Sequence, residues 1–186
     1  MFSGIRRAWD AVGLIYGMAL PIKAVPHWCL GSVQVRDDNR HQVSHIRTSL
    51  DLWRKETFTA FLHEVGHTLH PFGMIRGNVT LTDHLFAPEM VADMRLLEEF
   101  SAWDWVIQSG YDYDKEVMFL ALGSYVNFHN NDLQRWEVVD DVAEMYPHVW
   151  EALLEGEEIH HNNPSINMKK EIENARKYQL VRNPNP

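Results

Sequence analysis

The chain has 186 residues, which is enough for one domain with a substantial core and short for two. Its apolar fraction of 45% and its seven tryptophans indicate a packed globule rather than a disordered chain. A formal net charge of -9 disfavours binding of nucleic acid through its phosphates, so we expect a protein or peptide partner. Cys29 is the only cysteine, which excludes an intramolecular disulfide and an all-thiolate zinc site and fits a reducing, cytoplasmic compartment.

The first predicted element is an amphipathic helix over residues 4 to 20, ended by the proline that follows. Arg6 and Arg7 precede an apolar run, as they would in a secretory signal, and a targeting segment is the alternative interpretation. Trp9 and Asp10 interrupt that run, and its apolar part is too short to span a bilayer. We therefore expect a first helix of the domain and no membrane association.

Two short runs with strand character follow, "GSVQVR" at residues 31 to 36 and "HQVSHIRTSL" at residues 41 to 50. The turn signal Asp37-Asp38-Asn39 lies between them, so they are predicted to form a hairpin in a small N-terminal antiparallel sheet. Within the second run, "VSHIRTSL" is a candidate edge strand along which an extended substrate could pair.

From Asp51 the apolar spacing becomes helical. One core-facing stripe consists of Phe58, Phe61, Leu62, Val65 and Leu69, and Pro71 and Gly73 end that helix. A loop is expected over residues 71 to 85. Further helices are predicted over residues 88 to 109 with Gly110 as the stop, over 113 to 127, over 131 to 155, and over 165 to 178 in a fraying tail. The predicted fold class is α+β and mostly helical, with one domain over residues 1 to 160 and a C-terminal helix and tail over 161 to 186.

The helix that begins near Asp51 contains the pentapeptide His63-Glu64-Val65-Gly66-His67, which matches the HExxH pattern. Histidines four residues apart lie one turn apart on one helix face, so two imidazoles can reach a common metal ion about 2 Å from each. Glu64 is displaced by roughly 100° around the helix, which places its carboxylate beside the metal, where it can accept a proton from the attacking water. The alternative is an ordinary helix whose histidines face solvent or neighbouring groups.

A catalytic zinc site needs a third protein ligand and an open position. The metzincin pattern would continue with glycine and histidine three and six residues after His67, but His70 and Gly73 occupy those positions. The helix over residues 88 to 109 offers Glu98 and Glu99. Glu99 lies among apolar neighbours at helical spacing and is expected to point inward, where a cation would offset the cost of burying it, whereas Glu98 lies nearer the edge of that face. Pairing of Glu99 with Arg95 on the same helix is the alternative.

These residues resemble those of the ImmA/IrrE-type zinc metallopeptidases. The resemblance rests on "HEVGHTLH", similar to the HELGH-type helix of that family, and on "EFSAWDWVI" from Glu99, and it covers about residues 5 to 110. It implies a zincin-like fold, with His63, His67 and Glu99 as zinc ligands and Glu64 as general base. Family members typically cleave or help to inactivate a regulatory protein such as a DNA-binding repressor. The chain departs from the pattern at His70 and in the bulky "FSAWDW" after the glutamate.

Two other functions compete with this one. His84 as third ligand would resemble the SprT-type proteases, although the acidic charge and the absence of zinc-ribbon cysteines disfavour them. A zincin scaffold that binds a partner without proteolysis is the other, and the presence of Glu64 disfavours it because a structural zinc site needs no general base. Donors that could stabilise an oxyanion are Tyr111, Tyr113, Tyr125 and His129.

Overall fold

The structure, a computed structural model, describes residues 2–25, 33–37, 42–69 and 87–162. Its elements in chain order are α1 Phe2–Gly17, β1 Ile22–Val25, β2 Val33–Asp37, β3 Gln42–Ser49, α2 Lys55–Leu69, α3 Pro88–Gln108, α4 Lys115–Asn127, a π-helical turn Phe128–Asp132, α5 Trp136–Met145 and α6 Pro147–Asn162. The described part of the chain is therefore mostly helical with a small N-terminal sheet, as predicted.

The sheet has three strands in the order β1-β3-β2. β2 and β3 pair antiparallel, as the hairpin requires, with Val33 opposite Arg47. β1 pairs with β3 in parallel, with Ile22 opposite Ile46, so the predicted antiparallel sheet is wrong and the sheet is mixed. The sequence missed this because β1 pairs with a strand that is not its neighbour along the chain.

This order also corrects the role proposed for β3. Both sides of β3 carry a partner, β1 on one side and β2 on the other. Residues 46 to 49 pair with β1 and residues 42 to 47 pair with β2, so β3 is the central strand of the three and not an edge strand. Among the described strands, β1 and β2 are the outer ones, and the predicted edge strand over residues 43 to 50 is wrong.

Helices α2 and α3 form the centre of the domain. They run in opposite directions, since His63 stacks on Trp103 and His67, one turn later in α2, faces Glu98 and Glu99 one turn earlier in α3. The two backbones approach closely at Gly66, where a Cβ atom would lie 2.5 Å from the carbonyl oxygen of Ala102. The predicted stripe of α2 is buried except at its end: Phe58, Phe61, Leu62 and Val65 are fully buried, whereas Leu69 is exposed.

The predicted helices over residues 88 to 109 and 113 to 127 correspond to α3 and α4. Pro88 lies in the first turn of α3, and Gly110 follows its end with a φ of 71°. The Asp114 side chain caps α4 by accepting hydrogen bonds from the backbone N–H groups of Glu116 and Val117. The proline at the start of α3 and the glycine after its end are the local signals on which the prediction of this helix rested.

The single helix predicted over residues 131 to 155 is wrong. The chain instead forms the π-helical turn, then α5, then α6. Gln134 has a φ of 53°, a left-handed conformation that ends helical geometry. Pro147 begins α6, and a proline restricts the residue before it to non-helical backbone, so Tyr146 separates α5 from α6.

The loop predicted over residues 71 to 85 and the tail helix predicted over 165 to 178 lie outside the described residues, as do His70 and His84. Among the helices that the structure describes, none is long and apolar enough to cross a membrane.

Candidate metal centre

Three side chains predicted from sequence come together between α2 and α3. His63 and His67 project from successive turns of α2, with ring centroids 4.5 Å apart, and Glu99 projects toward them from α3. The Nε2 atom of His63 lies 3.0 Å from Oε2 of Glu99, and the Nε2 atom of His67 lies 3.6 Å from Oε1. One ligand atom from each of the three lies within 4.8 Å of the others, so the group could hold a metal ion.

The spacing of these atoms suits a small divalent ion. Two ligands bound tetrahedrally at about 2.0–2.1 Å lie roughly 3.3 Å apart, between the two measured separations. The donor set of two imidazoles and one carboxylate is that of a catalytic zinc site. Nε2 of His63 is also buried, and although Oε2 of Glu99 lies 3.0 Å away, no described residue offers this atom a partner in good hydrogen-bond geometry, a costly state that a bound ion would relieve. The residues therefore fit the metal.

Strong electrostatic coupling marks the same three residues. Burial alone lowers the pKa of His63, but hydrogen bonding to Glu64 and Glu99 and their negative charges outweigh it and raise the pKa to about 9. Burial and the neighbouring His63 lower the pKa of His67, but contacts with Glu98 and Glu99 raise it by more. The net result is a pKa above the ordinary value. Burial raises the pKa of Glu99, but both histidines together hold it well below its usual range. The negative charge of Glu99 thus stabilises a cation beside it. In the metal-free protein this positive charge is the proton on an imidazole, and a bound metal ion would take its place.

Glu64 lies at the rim of this group. Its Oε1 atom is 3.7 Å from Nδ1 of His63, and the residue is 9% exposed. Its Oε2 atom is buried and makes no hydrogen bond to any part of the chain that the structure describes. One carboxylate oxygen of Glu64 is therefore left without a hydrogen-bond partner among the described residues.

The structure distinguishes the two candidate glutamates of α3. Glu99 faces the Nε2 atoms of both histidines, whereas Glu98 faces the other nitrogen of His67, with Oε1 3.4 Å from Nδ1. Both glutamates are buried, at 4% and 3% exposure, which corrects the expectation that Glu98 lies near the edge of the apolar face. Arg95 is exposed and forms no ion pair with Glu99 or any other described residue.

Sequence reasoning missed one contact of the site. The indole of Trp103 stacks on the His63 imidazole at a centroid distance of 4.4 Å and an interplanar angle of 17°. Trp103 is fully buried, so it fixes the plane of that ring. The available signal was its position four residues after Glu99, which places both side chains on one face of α3.

The candidate oxyanion donors are distributed around the domain. Tyr111 packs edge-on against Phe58, and burial raises the pKa of the half-buried Tyr113. His129 is buried, donates from Nδ1 to the Tyr125 carbonyl oxygen at 2.9 Å, and has Nε2 3.5 Å from Oδ1 of Asp93. These contacts of Tyr111 and His129 are with groups outside the metal centre.

A cavity of about 300 Å³ lies against the N-terminal half of α3. Its walls from α3 include Val91, Ala92 and Arg95, and Tyr125 and Phe128 close the opposite side. Ala92 and Arg95 lie seven and four residues before Glu99, so they continue the helix face that carries the candidate ligand. Tyr125 and His129 both line this cavity, so they are the two oxyanion candidates associated with that face.

Comparisons with protein families, with curated proteins and with solved structures found no match to this chain.

Proposed function

We propose that the protein is a zinc-dependent metalloendopeptidase with a zincin-like fold, in which His63, His67 and Glu99 hold the ion and Glu64 is the general base. The observation that carries the proposal is the convergence of the two Nε2 atoms of an HExxH helix on both oxygens of one buried carboxylate from a second helix. The contacts of both histidines with the buried Glu99 disfavour the form of the alternative in which the histidines face solvent.

The mechanism assigns a task to each side chain. Zinc, when bound, supplies a Lewis acid that lowers the pKa of a water molecule and polarises the scissile carbonyl. Glu64 accepts a proton as that water attacks the carbonyl carbon, and it returns the proton to the departing amine as the peptide bond breaks. Glu64 is little exposed, and its Oε2 atom has no hydrogen-bond partner among the described residues. Both properties suit a group that accepts a proton and then returns it. Glu99 and the stacked Trp103 keep the His63 ring in one orientation throughout.

The proposed substrate is a regulatory protein, such as a transcriptional repressor, and the proposed compartment is the cytoplasm. The support is the resemblance of "HEVGHTLH" and "EFSAWDWVI" to the ImmA/IrrE-type peptidases, together with a single cysteine. The net charge of -9 favours a protein over a nucleic acid as the molecule that is bound directly.

The test compares wild-type protein with Glu64→Gln and with a matched control, Glu56→Gln, which changes a partly exposed glutamate in the first turn of the same helix. Zinc content is measured by elemental analysis. Each protein is then incubated with cell lysate, and new protein termini are identified by mass spectrometry. We expect zinc at about one per chain in all three. New termini should form with wild type and Glu56→Gln, and roughly 10²–10⁴-fold more slowly with Glu64→Gln.

Other outcomes would redirect the proposal. Zinc in all three proteins with no new termini from any would favour the partner-binding scaffold. Termini that form equally with Glu64→Gln would remove the assigned base. Zinc retained by Glu99→Ala and lost by His84→Ala would transfer the third ligand to His84 and favour the SprT-type function. Absence of zinc from the wild type would identify "HEVGH" as a coincidence.

A further inference from the structure

His67 lies between two adjacent carboxylates of α3. Its Nε2 atom faces Oε1 of Glu99 at 3.6 Å, and its Nδ1 atom faces Oε1 of Glu98 at 3.4 Å. His67 is 1% exposed and Glu98 is 4% exposed, so water is largely excluded from both contacts. Consecutive residues of a helix project about 100° apart, which is why one glutamate can face each nitrogen of the same ring.

We propose that Glu98 is a positioning residue that accepts the Nδ1 proton of His67 and so keeps the Nε2 lone pair directed at the metal. This inference rests on the metal centre of the proposed function. Glu98 is not one of the three proposed ligands, and the inference gives it the separate role of orienting one of them. A neutral imidazole carries one N–H, and a metal ligand must present its other nitrogen unprotonated. A carboxylate at Nδ1 selects that tautomer and makes Nε2 a stronger donor.

The state of the Nδ1 atom supports this assignment. It is buried and has no hydrogen-bond partner of good geometry in the described part of the chain, and the Glu98 carboxylate is the acceptor facing it. A separation of 3.4 Å exceeds the usual 2.7–3.2 Å of an N–H···O hydrogen bond by a few tenths of an ångström. The proposal requires this separation to shorten by that amount when the site holds its ion.

The alternative is that Glu98 is itself the third ligand and Glu99 the supporting residue. Three distances oppose it: Glu99 contacts Nε2 of both histidines through separate oxygens, whereas Glu98 contacts His67 at Nδ1, the nitrogen on the far side of the ring. An ion held by Glu98 and Nδ1 of His67 would leave His63 unused.

The experiment measures zinc affinity by competition with a chromophoric chelator, using the full-length chain. Variants are Glu98→Gln, Glu98→Ala and Glu99→Ala. The matched control is Glu116→Gln, because Glu116 is an equally buried carboxylate that pairs with Nδ1 of a different histidine, His160, at 2.8 Å. We expect Glu98→Ala to weaken zinc binding about 10- to 100-fold with unchanged stoichiometry. Glu98→Gln should lose less, because its amide oxygen still accepts the proton, and Glu116→Gln should match wild type.

A second readout needs no variant. Long-range ¹H–¹⁵N NMR of the zinc-loaded wild type reports which nitrogen of His67 carries the proton, and we expect Nδ1. Wild-type affinity in a folded Glu98→Ala, or a proton absent from Nδ1, would overturn this inference while leaving the metal centre intact. Complete loss of zinc in Glu98→Ala with retention in Glu99→Ala would show that Glu98 is a ligand. A wild type that binds no zinc would remove the metal centre and this inference together.

Discussion

His63 contacts three other side chains of the candidate site. Its Nε2 atom faces Glu99, its Nδ1 atom faces Glu64, and its ring face lies on Trp103. The sequence indicated His63 itself as a candidate ligand, through its four-residue spacing from His67. The sequence could not indicate that Trp103 stacks on His63, because Trp103 belongs to another helix, 40 residues further along the chain.

Zinc affinity should depend steeply on pH. The raised pKa of His63, about 9, means that this ring carries a proton in the metal-free protein at neutral pH, and zinc must displace it. Apparent affinity should therefore rise about tenfold for each pH unit between pH 6 and 8. Chelator competition at several pH values measures the slope, and an affinity independent of pH would contradict the charged state assigned to His63.

The metal-free protein should show the opposite trend in stability. A folded-state pKa of about 9 for His63, raised above its ordinary 6.5, contributes stability that is complete below pH 6.5 and is lost as the pH rises through 9. The lowered pKa of Glu99 contributes stability above its ordinary 4.5, which is lost as the pH falls below that value. Urea unfolding of chelator-treated protein should thus give its highest free energy of unfolding between these limits, and a maximum above pH 9 would be inconsistent with this.

Replacing Trp103 tests the stack directly. Trp103→Phe removes part of a fully buried ring that contacts His63, so we expect a loss of roughly 1–3 kcal/mol in the free energy of unfolding and weaker zinc binding. Trp136→Phe is the control, because Trp136 is 64% exposed and should change stability by no more than about 0.5 kcal/mol. Equal effects of the two substitutions would show that the stack contributes nothing specific.

At the scale of elements, the contact between α2 and α3 determines the site. The two helices approach at Gly66, next to His67, and at Ala102, next to Trp103. A side chain at residue 66 would separate the helix with two candidate ligands from the helix with the third. The glycine inside HExxH is therefore required here by packing, although glycine weakens an isolated helix.

Gly66→Ala should confirm this requirement. Its Cβ would lie 2.5 Å from the Ala102 carbonyl oxygen, so the helices must move apart. We expect destabilisation of about 1–3 kcal/mol, as for other overpacked sites, and reduced zinc affinity. Gly13→Ala in α1 is the matched control, because nothing lies within 4 Å of its added Cβ, and there alanine should stabilise by up to about 1 kcal/mol. Thermal melts and chelator competition measure both; a neutral or stabilising Gly66→Ala would contradict the close approach.

Across the whole molecule, the candidate site is part of the core rather than a surface attachment. Phe61 and Leu62 immediately precede His63, Phe100 follows Glu99, and all three belong to one buried cluster that extends to α6 through Leu153. Binding of a metal ion at this candidate site would therefore be coupled to folding, because the three candidate ligands are brought together only in the folded chain.

Zinc should raise the melting temperature of the whole domain. An ion that binds only the folded chain stabilises it by about 2.7 kcal/mol at 100 times its dissociation constant. We expect a cooperative shift upward with zinc, its reversal by chelator, and little shift in Glu99→Ala. A melting temperature insensitive to zinc in the wild type would indicate that the ion does not bind at this core site.

The sequence by itself determined the features that depend on near neighbours in the chain. The start of α3 at Pro88, the stop at Gly110 and the pairing of His63 with His67 on one face follow from local backbone preferences and helical period. It failed where a local pattern was ambiguous, as in the helix that breaks at Pro147.

Only the tertiary structure decided which groups meet across helices and strands. It placed Glu99 rather than Glu98 at the Nε2 atoms, stacked Trp103 on His63, and paired β1 in parallel with β3. Side-chain period gives the face of a helix but not the helix that packs against it. That partner is selected by burial of apolar surface and by close approach at residues such as Gly66, which are properties of the folded chain.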